Sequence, residues 1–343
     1  MTRVKHHTIF AVEPTKGPAS RITDLTVLKP PVLTPGDTIG VIAPASRPIL
    51  PSSVKNGIRS LEEMGFKVVC GRHLMNTHGY LAGTDSERLQ DLHEMFDDAD
   101  IDGIVCVRGG YGCGRLLQEI DYDIIRTNPK VLVGYSDITA LHIAFLNKTG
   151  LVTFWGPMVS SEMGESPFDD YNRDWFIRAV CRKEPVGEIL QPADMPPVQV
   201  LNGGIASGPL IGGTLSLLTA SLGTPYEVSM DGAILFFEDV GEEPHRLDRM
   251  LNQLYQSGKL NSVSGVVIGE CAGCGSAAHT PAFPYGNLSI EEIFVDYFSR
   301  LQVPVIYGLA IGHGKYKSTL PIGVQATLDA DSCLLRIDEA GVQ

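Results

Sequence analysis

Serine chemistry needs a hydroxyl held where it can attack, a base to take its proton and a carboxylate to orient the base. Ser136 meets the first condition in the stretch Lys130–Thr139, KVLVGYSDIT. A β-branched run, Val131–Val133, stops at Gly134, and Ile138–Leu146 then follows with Ile138, Leu141 and Phe145 at helical spacing. A strand that breaks at a glycine and turns straight into a helix holds the turn residue at the carboxyl edge of a sheet, where α/β proteins bind ligands. Backbone N–H groups at the helix start lie beside it and can stabilise an oxyanion. This is nucleophile-elbow logic without the G-x-S-x-G pattern, because Ile138 stands at the second glycine position. The competing reading is that Ser136 or Asp137 simply caps the helix.

For the base, His313 stands out among 9 histidines because it lies between two glycines just past a strand, in GHGK. His245 is its rival, close to a cluster of acids. For the carboxylate, Glu238 ends a strand and is followed by Asp239, Glu242 and Glu243. The last two also suit the N-terminal end of a helix dipole. A second informative stretch, Arg108-Gly-Gly-Tyr-Gly112, sits at another strand end. Adjacent glycines allow close backbone approach and expose N–H groups. Three uses compete: a phosphate cradle, half of an oxyanion hole beside Ser136, and a plain tight turn. The stretch is neither G-x-G-x-x-G with a later acid nor a P-loop. Cys271 and Cys274 form one C-x-x-C with His279 nearby, but a structural zinc needs about four ligands and no second pair is in view. No metal or other cofactor is expected.

The elements that must position these residues alternate. The expected strands are Thr38–Ala43, Phe66–Val69, Ile101–Val107 and Lys130–Val133. Between them lie helices over Ser52–Met64, closed by Gly65, over Ser86–Phe96, with a Ser-x-x-Leu start rather than a full capping box, and opening at Gly114–Ile120. Alternation of this kind implies βαβ units and a parallel sheet. Prolines and acids crowd residues 166–205, read as a linker with some helix at Tyr171–Cys181. A glycine-rich block, Asn202–Gly213, opens a less regular region. Its expected elements are a helix at Thr214–Leu222, strands at Ala233–Phe237, Val263–Ile268 and Val305–Tyr307, helices at Pro244–Gln256 and Leu288–Leu301, and a hairpin of Val324–Leu328 with Leu334–Ile337. The organisation expected is an arm over 1–33, a nucleophile domain over 34–165, the linker, and a C-terminal domain over 206–343.

Across 343 residues, 43% hydrophobic and 20% charged content describe a globular chain. A net charge of −13 argues against nucleic acid and anionic membrane surfaces as partners. No apolar run would span a bilayer, and the N-terminus lacks the apolar core of a secretory signal. Seven scattered cysteines fit reduced thiols, and the expected location is the cytoplasm.

Four motifs in this order, RGGYG, GYSDIT, FEDVGEEPHRLDRML and IGHGKYKSTLPIG, closely resemble the LD-carboxypeptidase family of serine peptidases. That family comprises muramoyltetrapeptide carboxypeptidases and a branch of microcin-immunity peptidases. The resemblance runs from about Pro35 to Ile337. It implies an α/β protein with a Rossmann-like parallel-sheet N-terminal domain and a smaller mixed α/β C-terminal domain, the site lying in the cleft between them. It further implies Ser136 as nucleophile, Glu238 as orienting carboxylate, His313 as general base, and the N–H groups of Gly110 and Asp137 as oxyanion hole. The family's members are typically homodimers. Two departures are an N-terminal arm longer than usual and His245 where an aromatic residue is frequent, which leaves His245 open as a substrate contact.

On that resemblance the expected activity is removal of the terminal D-alanine from murein tetrapeptides in peptidoglycan recycling. Arg108 or Lys315 would bind the free carboxylate of the substrate, with Tyr111 also at the substrate. The alternatives are a microcin-immunity-like peptidase acting on aminoacyl- or peptidyl-nucleotides, and a non-catalytic two-domain binding protein.

Overall fold

The computed structural model describes residues 27–275, 286 and 288–343. The expected arm therefore lies outside the described residues up to position 26. Its last part is structural: Leu28 bridges Leu151, and Leu33 is buried at 1% exposure. A leucine so enclosed contributes roughly 1.5–3 kcal/mol.

The first sheet uses β1 (Thr38–Ile42), β2 (Lys67–Cys70), β3 (Gly103–Cys106), β4 (Val131–Gly134) and β5 (Thr153–Trp155). These pair in parallel in the order β5-β4-β3-β1-β2. The apolar runs of β1, β3 and β4 are buried on both faces, as a parallel sheet covered by helices requires. The helices are α1 (Pro51–Glu63), α2 (Asp85–Asp97), α3 (Cys113–Leu116), α4 (Tyr122–Thr127), α5 (Thr139–Thr149) and α6 (Asp170–Val180). Helix α2 corrects the expectation of an incomplete cap. Thr84 accepts from Glu87 N while the Glu87 side chain accepts from Thr84 N, a full capping box begun two residues before Ser86.

The second sheet is mixed and eight-stranded: β6 (Gly187–Glu188), β7 (Gln199–Asn202), β8 (Ile205–Thr214), β9 (Ile234–Val240), β10 (Gly265–Ala272), β11 (Val305–Gly312), β13 (Gln325–Asp329) and β14 (Leu334–Ile337). Helices α7 (Leu215–Ala220), α8 (Pro244–Gln256), α9 (Lys259–Ser262) and α10 (Ile290–Phe298) accompany it. Strands β8, β9, β10 and β11 run parallel at its centre. The whole is the expected two-part α/β architecture. Residues 166–205 carry α6 and give β6 and β7 to the second sheet. Strand β12 (Leu320–Ile322) crosses back and pairs antiparallel with β5, extending the first sheet. The glycine-rich block is itself strand β8. A Cβ on Gly212 would lie 1.9 Å from the Phe236 carbonyl oxygen, so β8 and β9 approach only because the position has no side chain.

Helix α5 was expected to be one-sided, and nearly all of it is buried instead. It packs on the first sheet and also against α7 and β8. Within it His142 is fully buried, its Nε2 2.8 Å from the Gly134 carbonyl and its Nδ1 2.9 Å from Thr153 Oγ1. A carbonyl only accepts, so Nε2 carries the proton and Nδ1 accepts from the threonine. Burial lowers the imidazole pKa to about 4. The unfolded chain therefore binds the extra proton first, and His142 stabilises the fold above about pH 6.5 and progressively less down to about pH 4. Wild-type unfolding free energy is expected to fall by about 3 kcal/mol over that window from this residue. Urea titrations of wild type and His142→Gln at pH 4.5 and 7 check it, the variant showing the shallower pH dependence.

Candidate active site

Ser136 follows β4 with φ of +62°, in the left-handed region, and begins a short 3₁₀ turn, Ser136–Ile138, that leads into α5. A serine held there stores about 1–3 kcal/mol of backbone strain, which surrounding structure must sustain. The RGGYG turn presses on it. A Cβ on Gly109 would lie 2.7 Å from Ser136 Cβ and 3.3 Å from Asp137 N. Gly110 has φ of +114°, and its N–H donates to no group among the described residues. Ser46, which the sequence reading missed, clamps this turn: its Oγ accepts from Tyr111 N at 3.2 Å and its N–H donates to the Gly109 carbonyl at 3.3 Å. The only cue was a small polar residue after buried β1.

Asp137 is buried, and its carboxylate accepts from Cys113 N at 2.7 Å at the start of α3. Burial raises its pKa and the hydrogen bonds to the 112–113 backbone and the charge of Arg88 pull back. The Asp137 side chain thus anchors the glycine turn to the elbow, and its backbone sits next to the serine. Because a Gly109 side chain would push on Ser136 Oγ at 3.0 Å, Gly109→Ala is expected to lower kcat by about 10²-fold while the protein still folds. Steady-state turnover together with a melting curve checks this.

In the second sheet, Glu238 is fully buried near the end of β9. Its Oε1 accepts from Thr214 Oγ1 at 2.7 Å, and its Oε2 lies 2.6 Å from His313 Nδ1. Thr214, at the end of β8, carried no signal in the sequence. The next residue, Asp239, points the other way along the strand, accepting from Ser216 N at 2.8 Å and Val240 N at 2.9 Å. His313 follows β11 and keeps 15% side-chain exposure, with its ring edge-on to Tyr135 at a centroid distance of 4.9 Å. Tyr135 is the residue before Ser136, so the His313–Glu238 pair of β11 and β9 reaches the strand end that leads into the serine.

The remaining candidates separate. His245 lies at the start of α8 with its Nδ1 3.3 Å from Glu243 Oε2, so its acidic neighbour is Glu243 and not Glu238. Glu242 holds the 271–275 turn, donating its N–H to Cys274 Sγ at 3.3 Å and accepting from Gly275 N. Lys315 Nζ is 3.5 Å from Asp194 Oδ2 and 4.3 Å over the Tyr316 ring, with 61% side-chain exposure. Arg108 is half-buried beside Gly109 and makes no hydrogen bond or ion pair among the described residues. Tyr111 is exposed and stands edge-on to Tyr80 at 5.5 Å. Among the described residues no cluster of three His, Cys, Asp or Glu could hold a metal, and His279 lies outside them.

Fold and site together define an α/β protein of two sheets, with a serine at positive φ after a strand of the first and a hydrogen-bonded histidine–glutamate pair at the strand ends of the second. Residues 39–156 match the LD-carboxypeptidase N-terminal domain and residues 207–328 the LD-carboxypeptidase C-terminal domain. The chain belongs to the LD-carboxypeptidase family. It is 42% identical over 314 residues to the probable murein peptide carboxypeptidase of Bacillus subtilis, covering 92% of this chain and 95% of that protein. A solved muramoyltetrapeptide carboxypeptidase from Oxalobacter formigenes superposes with a TM-score of 0.76 at 30% identity, over 88% of this chain and 98% of that one. The microcin C7 self-immunity protein MccF of Escherichia coli is 30% identical over 337 residues, covering 90% of this chain and 94% of that protein. MccF solved in complex with aspartyl sulfamoyl adenosine superposes with a TM-score of 0.82 at 29% identity, over 92% of this chain and all of that one.

Proposed function

We propose that the protein is a serine LD-carboxypeptidase that removes the terminal D-alanine from murein tetrapeptides. The observation that carries this reading is the 2.6 Å contact between His313 Nδ1 and buried Glu238 Oε2, with the His313 ring against Tyr135, the residue before Ser136 in its strained turn. Glu238 accepts a hydrogen bond from Nδ1–H, which keeps the proton on that nitrogen and leaves His313 Nε2 free to accept one from the Ser136 hydroxyl. The serine oxygen attacks the carbonyl of the L-configured third residue. The tetrahedral oxyanion is met by the N–H groups of Gly110 and Asp137. Imidazolium then gives its proton to the departing amine, D-alanine leaves, and a water activated by the same imidazole releases the tripeptide.

A carboxypeptidase must also bind a free carboxylate. Arg108 suits this better than Lys315. Its guanidinium is half-buried, unpaired among the described residues and next to Gly109, whereas the Lys315 ammonium is exposed and beside Asp194. A bidentate arginine also matches carboxylate geometry. Cytoplasmic location and homodimer assembly belong to the same reading. Among the described residues, no helix is long and apolar enough to cross a membrane.

The test is release of free D-alanine from a purified murein tetrapeptide by wild type and Ser136→Ala. Release by wild type alone supports the proposal. A second reading is favoured by the similarity to MccF, solved with an aspartyl sulfamoyl adenosine: cleavage of aminoacyl- or peptidyl-nucleotides by the same three residues. It takes precedence if the tetrapeptide survives wild type and an aminoacyl sulfamoyl nucleoside does not.

A further inference from the structure

Lys317 is among the largest fully buried side chains of the protein, at 1% exposure. An ammonium taken out of water costs several kcal/mol unless its donors are matched. Lys317 Nζ is matched on three sides: it donates to the Gly314 carbonyl at 2.6 Å, pairs with Glu162 Oε1 at 2.9 Å and stands 5.0 Å over the Tyr135 ring. Its backbone N–H donates to Asn172 Oδ1 at 2.7 Å, and Asn172 Nδ2 donates to the Lys315 carbonyl at 3.0 Å.

The partners lead to both ends of the reaction centre. Glu162 belongs to the turn after β5; its Oε1 accepts from the Tyr135 hydroxyl at 2.8 Å and its Oε2 from Met158 N at 3.2 Å. Tyr135 immediately precedes Ser136 and contacts the His313 ring. Gly314 immediately follows His313. On its other side lies Glu270 of β10, where a Cβ on Gly314 would fall 1.9 Å from Glu270 Oε2. The Gly314 carbonyl is therefore held by the Lys317 ammonium, and Glu270 packs so closely that only a glycine fits at 314. A closed chain of contacts runs from Ser136 through Tyr135, Glu162, Lys317 and Gly314 to His313.

We infer that Lys317, paired with Glu162, is a positioning residue that fixes His313 relative to Ser136 by holding the Gly314 carbonyl and tying it to the elbow. The inference rests on His313 acting as the base of the proposed reaction. Lys317 touches neither substrate nor reacting atoms. It acts through the backbone of the base and the tyrosine beside the nucleophile. A lysine serves here because its flexible stem carries a compact charge with three donors to three differently directed partners.

The test uses Lys317→Met and Lys317→Met/Glu162→Gln. The single variant leaves Glu162 buried without its cation and is expected to lose stability. The double variant removes both charges and is expected to regain most of the lost melting temperature. Positioning predicts that the double variant, although folded, has kcat about 10–100-fold below wild type with KM within threefold, and that a fluorophosphonate labels Ser136 more slowly by a similar factor. A folded double variant with wild-type kcat and labelling rate overturns the inference. If wild type releases no D-alanine while labelling still slows in the double variant, the positioning role stands and the murein substrate falls. Tyr135→Phe cuts the same chain without touching a charge and covers the case in which neither lysine variant folds. It is expected to slow labelling three- to tenfold, and an unchanged rate overturns the inference.

Discussion

Ser136→Ala and His313→Ala are each expected to lower turnover of the tetrapeptide by roughly 10³-fold or more, and the double variant by little beyond either alone, because the groups act as one unit. The physical reason lies in the proton. Without His313 the hydroxyl has no acceptor, and without Ser136 the imidazole has nothing to activate in the first step. D-alanine release under single-turnover conditions reads this directly, and activity surviving both changes removes the assignment. The elbow adds an independent readout. Ser136 sits at φ of +62°, so Ser136→Gly relieves backbone strain that alanine does not. Ser136→Gly is expected to be inactive yet about 1–2 kcal/mol more stable than Ser136→Ala in denaturant titrations. Equal stability of the two variants would mean that the turn is not strained by its side chain.

Glu238→Gln is the second large effect. Glutamine keeps the shape of the side chain and its carbonyl oxygen can still accept from Thr214 Oγ1, now 2.7 Å from the carboxylate. Its NH₂ group, however, then faces His313 Nδ1 in place of the oxygen at 2.6 Å. An amide N–H there makes Nδ1 the acceptor and moves the ring proton to Nε2, the atom that must take the serine proton. Turnover is expected to fall about 10³–10⁴-fold with KM nearly unchanged and the melting temperature close to wild type. Normal kinetics in Glu238→Gln would instead move the role to Glu242 or Glu243. The same substitution next door, Asp239→Asn, should leave kcat within threefold, since Asp239 is engaged with Ser216 N and Val240 N on the opposite side of the strand. Measuring the pair together separates orientation of the imidazole from loss of a buried charge.

What could be read from the chain follows the reach of local rules. Strands β1, β3 and β4 were legible because buried parallel strands are short apolar runs ended by a turn or glycine, whereas β5, Thr153–Trp155, is only three residues long and was missed. Helix α8 was found at its observed bounds, Pro244–Gln256, because proline at its start and a leucine stripe state both its beginning and its inner face. Strand β8 was hidden, since a strand is recognised by its side chains and Gly208, Gly212 and Gly213 have none. Their purpose is close contact with β9, which no local pattern states. Strands β6, β7 and β12 were hidden for another reason. Each is two to four residues long and is held by a partner far away in sequence.

By itself the sequence determined the alternation that makes a parallel sheet, the strand-to-helix break that exposes Ser136, and four motifs whose order marks the family. Tertiary structure alone decided which acid meets which base. Along β9 the side chains of Glu238 and Asp239 point to opposite faces, and only the assembly of the sheet, with β8 beside that strand and β11 one strand beyond β10, turns Glu238 toward His313 and Asp239 toward α7. It likewise drew His245 to Glu243, buried Lys317 against Glu162, and brought Asn172 beneath the histidine loop. The contacts of Glu238 with His313 and of Lys317 with Glu162 join residues 75 and 155 positions apart, the others depend on directions set by the whole sheet, and no spacing rule within the chain carries that information.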